Sequence, residues 1–126
     1  MSLIERYGIY WVDLNPVIGA VPSFATRPGA KRTGTIAKTR PAIVVSDTLM
    51  NRHLQTVVVC PLTSQLHPQW RTRLQVNCAG RPAEIAIDQI RTISRLRLGE
   101  CIDNVDPEVA AQLRALLVAM YGTAKF

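Results

Sequence analysis

The stretch Thr39-Arg40-Pro41-Ala42-Ile43-Val44-Val45-Ser46 places an arginine and a proline directly before a run of small and β-branched apolar residues. Such a run, bounded by polar residues, predicts a β-strand that is buried on both faces. Pro41 cannot donate a hydrogen bond to a neighbouring strand, which suits the first residue of a strand, and it biases Arg40 towards extended backbone. Arg40 is therefore tethered to a rigid strand. Its guanidinium is either a phosphate ligand or an ordinary surface charge.

Composition limits the class of protein to which the chain can belong. With 126 residues, 48% of them hydrophobic and 19% charged, the chain predicts one globular domain over residues 1–126. The net charge of +6 favours a polyanionic partner. No apolar run approaches the ~20 residues of a membrane span, and the N-terminus lacks a signal-peptide core, so we expect a cytoplasmic protein. The three cysteines follow no metal-binding spacing, and we expect neither a metal nor another cofactor.

The rest of the chain predicts a mainly β fold. Alternating apolar and β-branched residues indicate strands over 8–14, 55–62, 73–76, 83–88 and 97–102, with extended chain over 89–94. Residues 17–38 are rich in glycine, proline and basic side chains and predict a long basic loop, which is either functional or disordered. Many short strands are typical of a small curved sheet or barrel.

Helix signals occur only near the C-terminus. Asp106 suits an N-cap and Pro107 the first helical position, and Gly122 is a stop signal. One apolar stripe follows at helical spacing, formed by Val109, Leu113, Leu116, Leu117 and Met120. The sequence therefore predicts a small curved sheet or barrel with a closing C-terminal helix.

Two predicted strands carry polar residues of chemical interest at their ends. One strand begins with Arg40, and the next runs into Thr63 and Ser64. In an antiparallel pair, the start of one strand lies beside the end of its neighbour. If these strands are neighbours, Arg40 and Thr63 share one sheet edge, where a guanidinium and a hydroxyl can bind the same phosphate.

Five segments, in order along nearly the whole chain, resemble one known family. They are 9–16 (IYWVDLNP), 39–46 (TRPAIVVS), 59–64 (VCPLTS), 88–92 (DQIRT) and 97–99 (RLG). On these motifs the chain resembles the MazF/PemK family of toxin endoribonucleases. The resemblance implies an SH3-like barrel of the MazF/PemK/CcdB type, a homodimer, and the toxin of a type II toxin–antitoxin system with a MazE-like antitoxin as partner. It also implies sequence-specific, metal-independent cleavage of single-stranded RNA, usually mRNA, that leaves a 2′,3′-cyclic phosphate and a 5′-hydroxyl.

The resemblance also implies roles for individual residues. Arg40 matches the catalytic arginine of the family, Thr63 the catalytic threonine, and Asp88 an aspartate that some members use. The RNA-binding residues that follow from the same matches and from the polar loops around them are Lys38, Thr39, Ser64, Gln65, Trp70, Gln89 and Arg91.

The chain departs from the family pattern in ways that leave alternatives open. The 17–38 loop contains no histidine, and Ala86 occupies a position where some members have an arginine, so the general base is unassigned. Asp88 is either catalytic or an ion-pair partner of Arg91. Trp70 either stacks on a base or packs its loop onto the barrel, whereas Trp11 is expected in the core. A CcdB-like toxin, or a nucleic-acid-binding barrel that acts by binding alone, is the competing function.

Overall fold

The computed structural model describes residues 3–14 and 39–122, which form a curled antiparallel sheet with a C-terminal helix. The predicted 17–38 loop and Lys38 lie outside the described residues. Seven strands take the order β4-β5-β3-β2-β1-β7, and β6 pairs with β3. The elements are β1 (Gly8–Asp13), β2 (Thr39–Val44), α1 (Thr48–His53), β3 (Thr56–Thr63), β4 (Arg73–Cys78), β5 (Arg81–Ala86), β6 (Arg91–Ser94), β7 (Leu98–Asn104) and α2 (Pro107–Leu117). The predicted mainly β fold with a closing helix is confirmed.

Strand β2 is buried on both faces, as its sequence predicts. Ala42, Ile43 and Val44 are fully buried, and they alternate between two hydrophobic clusters. Ile43 packs in the cluster that Leu113 of α2 completes, whereas Ala42 and Val44 pack in the cluster that contains Val12. The sheet therefore has a core on each side, which fixes the register of β2 because a slip of one residue would exchange the two sets.

The predicted helix forms as α2 and packs through its apolar stripe. Asp106 is the N-cap residue and Pro107 opens the helix. Leu113 is fully buried, and the other four members of the stripe pack against the same cluster while half-buried. Within the part of the chain that the structure describes, no helix is long and apolar enough to cross a membrane.

Three predictions about the strands are wrong in detail. The strand expected over 83–88 ends at Ala86, because a 3₁₀ turn over Ile87–Gln89 buries Ile87 completely and turns the next residues outward. The extended chain expected over 89–94 is therefore interrupted, and β6 begins only at Arg91. Pro41 is the third residue of β2 and faces Trp11 of β1. Trp11 itself is 39% exposed and does not lie in the core.

The pairing of β2 with β3 positions the residues at the sheet edge. The strands are antiparallel neighbours, with Ala42 opposite Pro61 and Val44 opposite Val59. If the same register is continued by two residues past Ala42, Arg40 stands opposite Thr63. On its other edge, β3 pairs with β6 up to Val59 and then with β5, so that Thr63 also faces Glu84. The start of β2, the end of β3 and the β4–β5 hairpin thus meet at one end of the sheet.

Candidate active site

A cavity of about 610 Å³ opens at this end of the sheet. Its polar lining consists of two guanidinium groups, two hydroxyl groups and one amide, contributed by Arg40, Arg81, Thr63, Ser64 and Gln65. Its apolar lining includes Trp11. No aspartate or glutamate among the described residues lines the cavity. A concave site with several hydrogen-bond donors, two fixed positive charges and no facing carboxylate is suited to an anion.

Arg40 enters the cavity from a rigid strand and is exposed there. Its Cα pairs with that of Val12 in β1, and the two residues after Pro41 are fully buried, so the backbone at Arg40 is well anchored. No hydrogen bond or ion pair joins its side chain to any residue that the structure describes. The guanidinium is therefore available to a ligand, and its planar fork of donors matches a phosphate group.

Thr63 contributes a hydroxyl whose own proton is available. The backbone N–H of Gln65 donates to Thr63 Oγ1 over 3.1 Å, which turns the chain sharply at the end of β3. Because the oxygen already accepts this bond, its O–H can donate to a ligand in the cavity. The same turn brings Ser64 and Gln65 into the lining beside Thr63. The structure thus brings together four of the predicted site residues, Arg40, Thr63, Ser64 and Gln65.

Asp88 takes part in a separate network of charges. Arg73 Nε donates to Asp88 Oδ1 over 2.9 Å, and Arg73 Nη1 donates to Glu84 Oε1 over 3.0 Å. The hydrogen bond from Arg73 holds the pKa of Asp88 below its ordinary value. Asp88 does not line the cavity. The ion pair that the sequence suggested between Asp88 and Arg91 is wrong in its partner, because Arg73 reaches the carboxylate across the β4–β5 hairpin.

Glu84 is the buried centre of this network. Its side chain is completely buried, and it also accepts hydrogen bonds from Gln75 Nε2 at 2.5 Å and from the backbone N–H of His67 at 2.6 Å. Burial alone would raise the pKa of Glu84, but the hydrogen bonds from Gln75, His67 and Arg73 lower it below its ordinary value. Glu84 therefore holds the loop after Ser64 to the hairpin, a role that no local sequence signal indicates.

Trp70 is packed against its own loop. Its ring is stacked on that of His67, with centroids 3.9 Å apart and planes 9° apart, and the Arg73 guanidinium lies 4.6 Å from its centroid. A parallel ring at 3.9 Å fills one face of the indole, so the guanidinium lies over the other face. A base could stack on Trp70 only by displacing His67 or Arg73. The geometry favours the interpretation in which Trp70 packs its loop onto the barrel.

The remaining predicted residues lie around the cavity or apart from it. Thr39 is exposed beside Arg40 at the start of β2. Gln89 is exposed in the 3₁₀ turn, and Arg91 Nη1 donates to the carbonyl of Leu14 over 3.5 Å; neither residue lines the cavity. Lys38 is outside the described residues. Over residues 3–14 and 39–122, no cluster of three or more His, Cys, Asp or Glu side chains is arranged to hold a metal ion.

The sequence was compared with protein families and with curated proteins, and both comparisons found matches. Residues 5–121 match the model of a family described as PemK-like, MazF-like toxin of type II toxin–antitoxin system. Among curated proteins, endoribonuclease EndoA of Bacillus subtilis (strain 168) is 27% identical over 112 residues, which cover 85% of this chain and 84% of the relative.

Solved structures share the fold at lower sequence identity. An endoribonuclease in complex with its cognate antitoxin, from a mycobacterial species, superposes with a TM-score of 0.69 at 20% identity, covering all of both chains. MazF from Deinococcus radiodurans (Form-I) superposes with a TM-score of 0.72 at 20% identity, covering 98% of this chain and all of the other. These matches establish the architecture that brings the lining residues together.

Proposed function

Because the chain belongs to the PemK-like, MazF-like toxin family of type II toxin–antitoxin systems, we propose that it is an endoribonuclease that cleaves single-stranded RNA, chiefly mRNA, at specific sequences and without a metal ion. The observation that carries this proposal is the cavity in which Arg40 and Thr63 lie together without a facing carboxylate. The curated relative from Bacillus subtilis, named as an endoribonuclease, supports the same activity.

The reaction that suits this site uses the RNA's own 2′-hydroxyl as the nucleophile. The 2′-oxygen attacks the adjacent phosphorus, the new O2′–P bond forms, and the P–O5′ bond breaks. The products are a 2′,3′-cyclic phosphate and a 5′-hydroxyl, so one proton leaves the 2′-oxygen and one reaches the 5′-oxygen. The protein must stabilise the negative charge that accumulates on the non-bridging oxygens and must hold the 2′-oxygen in line.

Arg40 is the residue that we assign to charge stabilisation. An arginine side chain stays protonated at physiological pH and is a poor proton acceptor, so its part is electrostatic. Its two parallel donors fit the non-bridging oxygens of the pentacoordinate phosphorus, where the charge grows in the transition state. The anchoring of β2 on both faces fixes the backbone from which Arg40 extends, and no described residue pairs with its guanidinium.

Thr63 is the residue that we assign to orientation. Its oxygen is held by the Gln65 N–H, and its hydroxyl proton can bind a phosphate oxygen or the 2′-oxygen from a fixed position. Ser64 and Gln65 follow in the same turn, and we propose that they bind the nucleotides on either side of the scissile phosphate. We propose that Thr39, at the start of β2, and Lys38, which precedes it in the sequence, also bind RNA.

Four predicted site residues do not line the cavity, and we assign them indirect or flanking roles: Asp88, Gln89, Arg91 and Trp70. The Arg73 guanidinium lowers the pKa of Asp88 and thus weakens it as a base, so we propose that Asp88 acts through Arg73 and not as the proton acceptor. Gln89 and Arg91 lie beyond Asp88 and would contact flanking nucleotides. Trp70 would do so only after His67 or Arg73 leaves its ring.

We further propose that the protein acts in the cytoplasm as a homodimer and is inhibited by a MazE-like antitoxin. The mycobacterial endoribonuclease that was solved in complex with its cognate antitoxin supports the proposal of an antitoxin partner. Light scattering of the purified chain, alone and after addition of the antitoxin encoded beside it, measures both assemblies.

The experiment that tests the activity is analysis of RNA ends. Purified protein is incubated with a long unstructured transcript in EDTA, and the fragments are labelled directly with polynucleotide kinase. We expect discrete fragments with 5′-hydroxyl and 2′,3′-cyclic phosphate ends. The Arg40→Gln protein, purified in the same way, controls for contaminating ribonuclease. Intact RNA with the wild type, in EDTA and in Mg²⁺, would reject the enzyme and leave the alternative of a CcdB-like or nucleic-acid-binding protein.

A further inference from the structure

A second arginine lines the same cavity, from the β4–β5 hairpin. Arg81 is the first residue of β5, it is exposed, and no hydrogen bond or ion pair joins it to any described residue. The other lining groups offer it no carboxylate. Two unpaired guanidinium groups around one cavity repel each other, and an anion between them removes that repulsion.

The hairpin turn before Arg81 is held in a specific conformation. Ala79 and Gly80 connect β4 to β5 with φ values of +51° and +82°. Positive φ at both positions is the geometry of a type I′ turn, which non-glycine residues such as Ala79 adopt only at a cost in backbone strain. A turn of this kind fixes the direction in which the next residue, Arg81, leaves the hairpin.

An acidic side chain from another strand secures this turn. Asp103 of β7 accepts the backbone N–H of Ala79 on Oδ2 over 2.8 Å, and the N–H of Asn104 on Oδ1 over 2.8 Å. Its neighbour Ile102 lines the cavity, so the contact joins β7 to the hairpin at the rim of the site. The hydrogen bond from Ala79 lowers the pKa of Asp103, which therefore remains a carboxylate at neutral pH.

From these contacts we propose that Arg81 is a second RNA-phosphate ligand of the cavity, and that Asp103 is the residue that positions it through the Ala79–Gly80 turn. The inference rests on the proposed RNA substrate and names a contact that the sequence motifs do not contain. Arg81 binds the phosphate next to the one that Arg40 holds, and thus fixes the direction of the strand across the cavity.

The test is RNA binding without cleavage, measured as a function of salt. The probe is a short single-stranded RNA of randomised sequence, 2′-O-methylated throughout so that no 2′-hydroxyl can attack. Wild type is compared with Arg81→Gln, Arg81→Lys and Arg52→Gln by fluorescence anisotropy. Arg52 lies on α1, beyond the far end of β2, and is the control for loss of one positive charge.

We expect Arg81→Gln to bind about tenfold more weakly and to lower the slope of log affinity against log salt by about 0.7, the value for one phosphate contact in a single strand. Arg81→Lys should keep the slope and recover only part of the affinity, because lysine keeps the charge but not the fork. Arg52→Gln should change neither quantity appreciably.

The positioning part is tested by a double-mutant cycle. Asp103→Ala removes both the oxygen that accepts the Ala79 N–H and a negative charge near the cavity. Loss of the negative charge by itself strengthens RNA binding, so a weaker affinity points to the released turn. We expect Asp103→Ala to weaken binding in the wild-type background and to have no weakening effect in Arg81→Gln. Weakening of equal size in both backgrounds would overturn the positioning role.

The outcomes separate this inference from the proposed function. Equal affinities and salt slopes for Arg81→Gln and Arg52→Gln would overturn the assignment of Arg81, even if the wild type cleaves RNA. Failure of the wild type to bind the probe would overturn it as well. A lower slope for Arg81→Gln supports it, even where end analysis finds no cleavage and the proposed enzyme fails.

Discussion

Three arginines, Arg73, Arg40 and Arg81, occupy two contrasting environments. Arg73 is almost completely buried, is paired with Glu84 and Asp88, and lies over the ring of Trp70. Arg40 and Arg81 face an open cavity and have no partner among the described residues. Arg73 thus holds a loop to a hairpin, whereas the donors of Arg40 and Arg81 remain available to a ligand. An arginine that lines a cavity without a described partner therefore indicates a binding site, whereas an arginine held by two carboxylates has a structural role.

The largest loss of stability should come from breaking the buried ion pair between Arg73 and Glu84. Arg73→Met leaves the completely buried Glu84 carboxylate without its cation, and we expect the free energy of unfolding to fall by about 3–5 kcal/mol. Urea denaturation measures this loss. Arg81→Met is the matched control and should change stability by less than about 0.5 kcal/mol. If both substitutions have the same small effect, the contrast between paired and unpaired arginines has no energetic basis.

Removal of the Arg40 guanidinium should show the opposite profile. We expect Arg40→Gln to lower the rate of RNA cleavage by about 10²–10³, because it removes a donor aimed at the charge that develops in the transition state. Its free energy of unfolding should remain within about 0.5 kcal/mol of the wild type. Single-turnover cleavage and urea denaturation of the same preparation measure the two quantities. A stability loss as large as that of Arg73→Met would mean that Arg40 is also structural.

The paired network should also make stability depend on pH. The pKa values of Glu84 and Asp88 are lower in the folded protein, so below about pH 5 the unfolded state binds more protons than the folded state. The contribution of these two carboxylates to the free energy of unfolding should therefore be fully present above this pH, and it should be lost as the solution is acidified through the folded-state pKa values. Asp88→Asn should reduce this fall, as urea denaturation at several pH values would measure. An identical pH dependence for wild type and Asp88→Asn would contradict the role of the network.

The proximity of Arg40 to Thr63 and the helix α2 could be predicted from the sequence, because their signals are local. The apolar run after Pro41 identifies β2, and the pairing of consecutive strands then places Arg40 near Thr63. The helix α2 follows from Asp106, Pro107 and one apolar stripe in the same way. Each of these inferences needs only residues that are close in the chain or strands that follow one another.

The contacts of Arg73 with Glu84 and Asp88 could not be predicted in this way, because they depend on how the sheet curls. Arg73 reaches Asp88 across a hairpin, and the 3₁₀ turn that exposes Asp88 arises only because Ile87 is drawn into the core. Trp11 looked apolar enough for the core, yet the open end of the sheet leaves it at the cavity wall. Arg81 lies in no recognised motif. Its importance depends on the lack of a described carboxylate in the lining of the cavity and of a described ion-pair partner, which only the structure shows.

The weakest effect is expected from Ala79→Gly in the β4–β5 turn, where stability and RNA affinity should change in opposite directions. Ala79→Gly removes the strain of a positive φ, worth about 1–2 kcal/mol, and adds unfolded-state freedom that costs about 0.5–1 kcal/mol. The free energy of unfolding should therefore rise by about 0–1.5 kcal/mol. RNA affinity should nevertheless fall, because the turn that directs Arg81 becomes more flexible. Urea denaturation and binding of the methylated RNA measure the two effects, with Asn77→Gly on the exposed side of β4 as the control. An Ala79→Gly protein that is more stable and binds RNA as tightly as the wild type would show that the direction of Arg81 does not depend on the turn.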